Sequence, residues 1–251
     1  MSEHEISRGT LRFTLWGIPI SIQPSSWIVL ALLGGAFRIS DGSDLKQVLT
    51  FVAAGVLCLL AHELGHALTG RRYTGATPTV TLSMMGGITE LPYLPRTRAQ
   101  YFMYVLAGPL AGLLPGVLAA LLLGLQVGNP GAGFSFFLLS PFGMEEAIPY
   151  EQMMSLVLAI QDGKLSLTML ELYSTIILIS VWWSIFNLLP IYPMDGGKLL
   201  ATVTNNIKLA TLTGMLLAGI LSLLSLAGGM WFTMVLLGYF AYSNWQFYRN
   251  L

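Results

Sequence analysis

The sequence is poor in charged residues and contains a single cysteine. Of its 251 residues, 10% are charged and 55% are hydrophobic, whereas an average soluble domain carries about 25% charged residues. The 12 basic and 12 acidic side chains give a net charge of zero, which excludes a basic nucleic-acid-binding protein and an acidic disordered chain. Cys58 is the only cysteine, so no disulfide can form within the chain.

The hydrophobic residues occur in blocks, as is typical of a multi-pass membrane protein. Six segments are predicted as spans: residues 27–37, 48–69, 101–125, 170–189, 209–226 and 230–247. A helix needs about 20 residues to cross a bilayer, so the first segment, which contains Gly34 and Gly35, is short for a full span. The predicted fold class is therefore an all-α polytopic membrane protein with about six transmembrane helices.

Two segments have the character of strands. Residues 11–22 alternate weakly around Gly17 and lie within residues 1–24, which we predict to form a short N-terminal β-hairpin. Residues 77–92 follow the second span, are rich in threonine around the pair Gly86 and Gly87, and predict a membrane-associated β-hairpin. Extended backbone at membrane depth is stable only where it is buried in protein or lines a wet cavity. We expect residues 1–251 to form one integral-membrane domain.

The basic residues are distributed unevenly between the two sides of the predicted bundle. If the N-terminus is cytoplasmic, nine of the 12 basic residues lie on its side, and the other three, Arg38, Lys46 and Lys164, lie on the opposite side. The nine are Arg8, Arg12, Arg71, Arg72, Arg96, Arg98, Lys198, Lys208 and Arg249. The positive-inside rule therefore predicts a cell-membrane protein with both termini in the cytoplasm.

The long connection 126–169 is predicted to be an external loop. It carries the acids Glu145, Glu146, Glu151 and Asp162. Within it, residues 150–160 predict a short amphipathic helix, which either lies on the membrane surface or covers the loop without a further role.

Three ionisable residues lie close together near the end of the second predicted span. His62, Glu63 and His66 form the string HELGH, which matches H-E-x-x-H on a helix. At positions i and i+4 the two imidazoles share a helix face and can bind one zinc ion. Glu63 points about 100° away, so it can act as a general base without binding the metal. The alternative is a helix end whose polar side chains reach the membrane interface.

A catalytic zinc site needs a third protein ligand and an open position for water. Cys58 lies one turn before His62, but a buried small thiol is its more ordinary interpretation. Glu90 lies in the second strand segment and is a second candidate. Asp195 is the best candidate, because it directly follows the fourth span, where Pro190 and Pro193 break the helix and Gly196 and Gly197 allow a sharp turn.

Together these motifs resemble the site-2 protease family of intramembrane zinc metalloproteases. The resemblance rests on HELGH in an apolar helix, followed downstream by Asn187-x-x-Pro190-x-x-x-x-Asp195-Gly196. The segments SMMGG at 83–87 and AGPLAG at 107–112 are similar to that family's membrane-associated hairpin and third core helix. The similarity covers about residues 10–247, and the PDZ or CBS domains of many family members are not recognisable in the sequence.

The resemblance implies a function for each matched residue. His62, His66 and Asp195 are the expected ligands of one Zn²⁺ per chain, and Glu63 is expected to activate the water. Asn187 is expected to orient or stabilise the reacting carbonyl, and Gly86 and Gly87 to bind an unwound substrate strand by β-augmentation. Expected substrates are membrane-spanning proteins, such as a tethered transcription regulator, an anti-sigma factor or a remnant signal peptide, with membrane partners as regulators.

Three other interpretations remain open at the level of the sequence. A transporter would use intramembrane histidine and acid side chains as a cation path, but it predicts paired repeats and acids on several spans. A catalytically inactive relative would bind membrane segments without cleaving them, although every motif position is intact. A zinc protease of another membrane family would take Glu90 or Glu171 as third ligand.

Overall fold

The computed structural model describes residues 9–251 and is mostly helical, as the composition predicts. Arg8 and the start of the segment 1–24 lie outside the described residues. The strands are β1 (Leu11–Leu15), β2 (Ile18–Ile22), β3 (Thr79–Ser83) and β4 (Gly86–Glu90). The helices are α1 (Pro24–Leu33), α2 (Gly42–Thr74), α3 (Arg98–Val127), α4 (Pro130–Leu139), α5 (Tyr150–Gln161), α6 (Leu167–Leu188), α7 (Asp195–Thr204), α8 (Ile207–Ala227) and α9 (Trp231–Arg249).

Four helices in residues 9–251 are long and apolar enough to cross a membrane, namely α2, α3, α6 and α8. They correspond to four of the predicted spans, and the expectation of a multi-pass membrane protein is confirmed. Helix α1 is apolar but has only 10 residues. Helix α9 has 19 residues and carries polar side chains, such as Asn244 and Gln246, towards its C-terminal end. The count of six spans therefore stays a prediction.

Helix α2 carries the HELGH motif in its C-terminal half. It has 33 residues, so it is about 50 Å long and exceeds the roughly 30 Å hydrocarbon core of a bilayer. It begins after Asp41, whose carboxylate accepts the backbone N–H groups of Ser43 and Asp44. It ends at Gly75, which has a left-handed φ of 72°, the usual helix termination.

The two predicted strand segments pair into a single four-stranded sheet with the order β1-β2-β3-β4. The pairs β1–β2 and β3–β4 are antiparallel, whereas β2 and β3 are parallel, with Ile20 opposite Val80. The buried face of the sheet packs against α2 through Ile18, Ile20, Ile22, Val80 and Leu82 on the strands and Leu59, Leu64 and Ala67 on the helix. The sheet therefore lies directly against the helix that carries the two histidines.

Helix α3 contains Pro109 and Pro115, neither of which has a backbone N–H to donate. The hydroxyl of Ser180, on α6, enters the helix at this point. It accepts the N–H of Gly116 and donates to the carbonyl of Gly112. These hydrogen bonds join α3 and α6, and they satisfy backbone groups that the interior of a bilayer could not satisfy with water.

Two expectations are wrong in detail. The connection 126–169 contains the helix predicted at residues 150–160, which is α5, but it also contains α4, which was not predicted and which Asn129 caps by accepting the N–H of Ala132. Gly196 and Gly197 do not form a turn; they lie in the first turn of α7. A Cβ on Gly196 would overlap the carbonyl oxygen of Leu188, so these glycines allow close packing of α7 against the end of α6.

Candidate metal centre

Two helices bring three potential metal ligands to one point. Helix α2 presents His62 and His66 one turn apart, with their Nε2 atoms 3.2 Å from each other. Asp195, the first residue of α7, places Oδ2 3.1 Å from each of these nitrogen atoms. The three residues are only 2–6% exposed. Nitrogen and oxygen atoms from distant parts of the chain thus form a nearly equilateral triangle inside the protein.

This triangle has the dimensions of a zinc site. Zinc binds histidine nitrogen and carboxylate oxygen at about 2.0–2.2 Å, so two ligands of a tetrahedral zinc ion lie about 3.3 Å apart. The three separations here are 3.1–3.2 Å. A cation at the centre would lie within reach of the lone pairs of all three atoms at once. The residues therefore fit a bound zinc ion.

Helix α3 makes room for both imidazoles through two glycines one turn apart. A Cβ on Gly108 would overlap the imidazole of His66, and a Cβ on Gly112 would lie 3.3 Å from Nδ1 of His62. Gly65, between the histidines, likewise allows α2 to touch the backbone of α3 at Ala107. The spacing of the two glycines therefore matches the spacing of the two histidines.

Hydrogen bonding fixes the orientation of one imidazole. Nδ1 of His66 lies 2.9 Å from the carbonyl oxygen of Tyr104, so it carries the proton and leaves the Nε2 lone pair facing the triangle. Nδ1 of His62 is buried and has no hydrogen-bond partner among residues 9–251. This nitrogen atom faces Gly112 of α3.

Asp195 divides its carboxylate between the triangle and a lysine. Oδ2 faces the histidines, while Oδ1 lies 3.4 Å from Nζ of Lys198, one turn along α7. Burial disfavours the charged form of Asp195, but the close imidazoles of His62 and His66 and the ammonium group of Lys198 outweigh it and hold the pKa of this carboxyl below its usual range. The carboxylate is therefore ionised, which is the form that binds a metal.

Glu63 lies next to the triangle and contacts strand β4. It is 4% exposed, and its Oε2 accepts a hydrogen bond of 2.7 Å from the hydroxyl of Thr89. A Cβ on Gly87 would overlap the Glu63 carboxyl group. The carboxylate is thus held between the helix and the edge strand of the sheet, beside the two histidines and outside the set of three ligand atoms.

One cavity of about 350 Å³ joins these groups. It is lined by His62, Glu63, His66 and Asp195, and also by Asn187 on α6 and Gly87 on β4. Nδ2 of Asn187 donates to the carbonyl of Trp183 one turn earlier, which fixes its side chain along α6. Gly86 lies against the ring of Trp183. The structure therefore brings six of the seven predicted site residues to the lining of one cavity, and places Gly86 next to it, against Trp183.

The other candidate ligands lie elsewhere. The thiol of Cys58 points to the carbonyl of Ile176 on α6, 3.8 Å away. Glu90 is exposed at the end of β4, and Glu171 lies in the first turns of α6. Neither of these acids nor Cys58 belongs to the one group of metal-binding side chains found in the described residues.

Sequence reasoning missed several residues around the site. Tyr104 acts through its backbone carbonyl, which no side-chain motif reveals. Thr89 reaches Glu63 only because β4 packs against α2, a contact between elements that no local pattern predicts. Gly108 and Gly112 did have a signal, because their i, i+4 spacing equals that of the two histidines.

Comparison with known proteins identifies relatives over most of the chain. The profile of peptidase family M50 matches residues 50–226. The chain is 25% identical over 260 residues to a candidate zinc metalloprotease of Synechocystis, sll0528, covering 92% of this chain and 57% of the relative. It is 26% identical over 198 residues to a candidate zinc metalloprotease of Mycobacterium tuberculosis, Rip3, covering 73% of this chain and 38% of the relative. The chain thus spans about half the length, or less, of these curated relatives.

A solved structure has a similar fold. The site-2 protease from Methanocaldococcus jannaschii superposes with a TM-score of 0.56 at 17% sequence identity, and the match covers 94% of each chain. At this identity the comparison concerns the arrangement of helices and strands. That arrangement accords with the resemblance noted from the motifs.

Proposed function

The chain belongs to peptidase family M50, the zinc metalloproteases of site-2 protease type, and on that premise we propose that it is an active intramembrane protease. The observation that carries the proposal is the triangle of His62, His66 and Asp195, buried in a multi-pass membrane protein. These three residues are the proposed zinc ligands. A buried set of three potential ligands with an adjoining cavity matches the arrangement of a catalytic zinc site.

The proposed reaction is hydrolysis of a peptide bond within or near a transmembrane segment. Zinc bound at the triangle would polarise the peptide carbonyl and make its water more acidic. Glu63 takes one proton from the attacking water and transfers it to the leaving amine. Glu63 is buried beside the histidines but is not one of the three proposed ligands, and this position supports its role as the base.

Two further groups are assigned to the substrate. The side chain of Asn187 lines the cavity, and we assign it the orientation or stabilisation of the reacting carbonyl. Strand β4 pairs with β3 on one side and ends the sheet order, so its other edge is the proposed docking site for an unwound substrate strand at Gly86 and Gly87. A transmembrane helix hides its peptide bonds in internal hydrogen bonds, so local unwinding must precede hydrolysis.

We assign six spans to the membrane domain, adding α1 and α9 to the four long apolar helices. Both termini then lie in the cytoplasm, and residues 126–169 lie outside as the connection between α3 and α6. The excess of basic residues on the proposed cytoplasmic side supports this orientation in the cell membrane. We propose that residues 1–251 form one domain, because the sheet packs on α2, and α2 and α7 together supply the three residues of the site.

The proposed substrates are membrane proteins that cross or enter the bilayer, cleaved in regulated intramembrane proteolysis. A membrane-tethered transcription regulator, an anti-sigma factor and a remnant signal peptide all meet this description. Membership of the family supports the class of substrate, and regulatory membrane partners are part of the same proposal.

The substitution Glu63→Gln separates catalysis from metal binding. We expect this variant to retain its fold and about one zinc per chain, while cleavage of a transmembrane peptide in detergent falls by about 100-fold or more, the usual worth of a general base. The matched control is Glu90→Gln, which changes an exposed glutamate of the same sheet. A fully active Glu63→Gln protein would refute the proposed role of Glu63.

A further inference from the structure

Strand β4 contacts Glu63 through a hydroxyl group. Oγ1 of Thr89 lies 2.7 Å from Oε2 of Glu63 and 3.0 Å from its backbone carbonyl oxygen. A hydroxyl has one proton to donate, and the shorter distance and negative charge favour the carboxylate as its acceptor. Thr89 therefore holds one oxygen of a buried carboxylate.

The other side of the same carboxylate is limited by Gly87. Gly87 and Thr89 are two residues apart on β4, so they point to the same face of the strand. A Cβ on Gly87 would overlap Cγ, Cδ and Oε1 of Glu63. The carboxylate thus occupies a narrow space on β4, here called the slot, where it contacts the backbone of Gly87 and accepts a hydrogen bond from Thr89.

The position of this slot is set by the sheet. On β3, Leu82 pairs with Gly87 and Val80 pairs with Thr89. Val80 and Leu82 are buried against α2, the helix that carries Glu63. A shift of β4 by one residue would point Thr89 away from the helix and bring a side chain into the slot.

We propose that Thr89 is a positioning residue, which together with Gly87 places the Glu63 carboxylate for proton transfer. The proposal rests on the role of Glu63 as general base given above. It adds that the register of β4 against β3 determines where the Glu63 carboxylate lies. It also links binding to chemistry, because the strand that presents its free edge to the substrate is the one that holds the base. A substrate strand that pairs with β4 then fixes the base at the same time.

The test is a pair of substitutions at Thr89, assayed in the full-length zinc-loaded protein with a transmembrane peptide. Thr89→Val keeps the shape of the side chain and removes the donor, so we expect kcat to fall about tenfold or more, with KM within about twofold and zinc content unchanged. Thr89→Ser keeps the hydroxyl and should restore most of kcat. The matched control is Thr79→Val, on the exposed face of β3, which should leave both constants unchanged. Wild-type kcat in Thr89→Val would overturn the proposal.

A second readout does not depend on activity. In a double-mutant cycle on thermal unfolding, Thr89→Val should lower the unfolding midpoint of the parent protein. The decrease should be smaller in a Glu63→Ala background, where the carboxylate is gone and only the backbone carbonyl of residue 63 remains as an acceptor. An equal effect of Thr89→Val in both backgrounds would overturn the proposed contact. If the Glu63→Gln protein were fully active, the general-base role would fail, whereas a positive cycle would still show that Thr89 holds this side chain.

Discussion

At the residue scale, the positions of the two histidine rings depend on glycines in the neighbouring helix α3. His62 and His66 are placed by α2, but the His66 ring would overlap a Cβ at Gly108 of α3, and a Cβ at Gly112 would lie only 3.3 Å from Nδ1 of His62. The carbonyl of Tyr104, one turn before Gly108, then fixes the His66 ring. The geometry of the proposed metal site therefore depends on α3 as much as on the HELGH motif.

The substitution Gly108→Ala tests this dependence. Its methyl group would overlap the His66 imidazole, so the ring must move and Nε2 must leave the triangle. We expect zinc affinity, measured by competition with a chelator, to fall by about 10- to 100-fold, the usual effect of disturbing the surroundings of a ligand. Gly219→Ala in α8 is the control, because a Cβ there meets no atom within 4 Å. Equal zinc affinity in both variants would show that the glycine does not set the His66 position.

At the element scale, the apolar helices could be predicted from the sequence, and the contacts between elements could not. Long runs of apolar residues predicted α3, α6 and α8 to within three residues at each end, and α2 to within six. The pairing of β2 with β3 was missed because these strands are separated by α1 and α2, and local alternation carries no information about such a partner. Helix α4 was missed because residues 130–139 are apolar without a clear period.

In the candidate site, too, residues close in the sequence could be predicted, whereas contacts between distant elements could not. His62, Glu63 and His66 were predictable because one helix turn brings them together. Asp195 was predictable from its position after the helix break at Pro190 and Pro193 and from the family resemblance, although its approach to the histidines depends on the packing of α7. Thr89 and Lys198 contact site residues only in the folded protein.

The substitution Ser180→Ala tests how α3 and α6 are joined. Removing the hydroxyl leaves the N–H of Gly116 and the carbonyl of Gly112 without their bridge, and an unsatisfied buried polar group costs about 1–3 kcal/mol. We expect a lower thermal unfolding midpoint in detergent, with zinc content near the wild-type value. Ser174→Ala, on the same helix, is the control, since Ser174 makes no such bridge in the described structure. If the two variants unfold at the same temperature, the bridge contributes nothing to stability.

At the scale of the whole molecule, the proposed site is buried at the meeting of the sheet, α2, α3, α6 and α7. Its ligands are 2–6% exposed, and the adjoining cavity of about 350 Å³ is walled by β4 and α6. A folded transmembrane helix is too wide for such a space, since its diameter with side chains is about 10–12 Å. The shape of the molecule therefore favours an extended substrate segment.

The most direct test of the account is the zinc content per chain of the detergent-purified protein. We predict about one zinc in the wild type, a large loss in His66→Ala and Asp195→Ala, and no loss in the control Glu90→Ala, which removes an exposed acid outside the triangle. Zinc retained in both ligand variants, or no zinc in a well-folded wild-type preparation, would contradict the assignment of His62, His66 and Asp195 as the metal site.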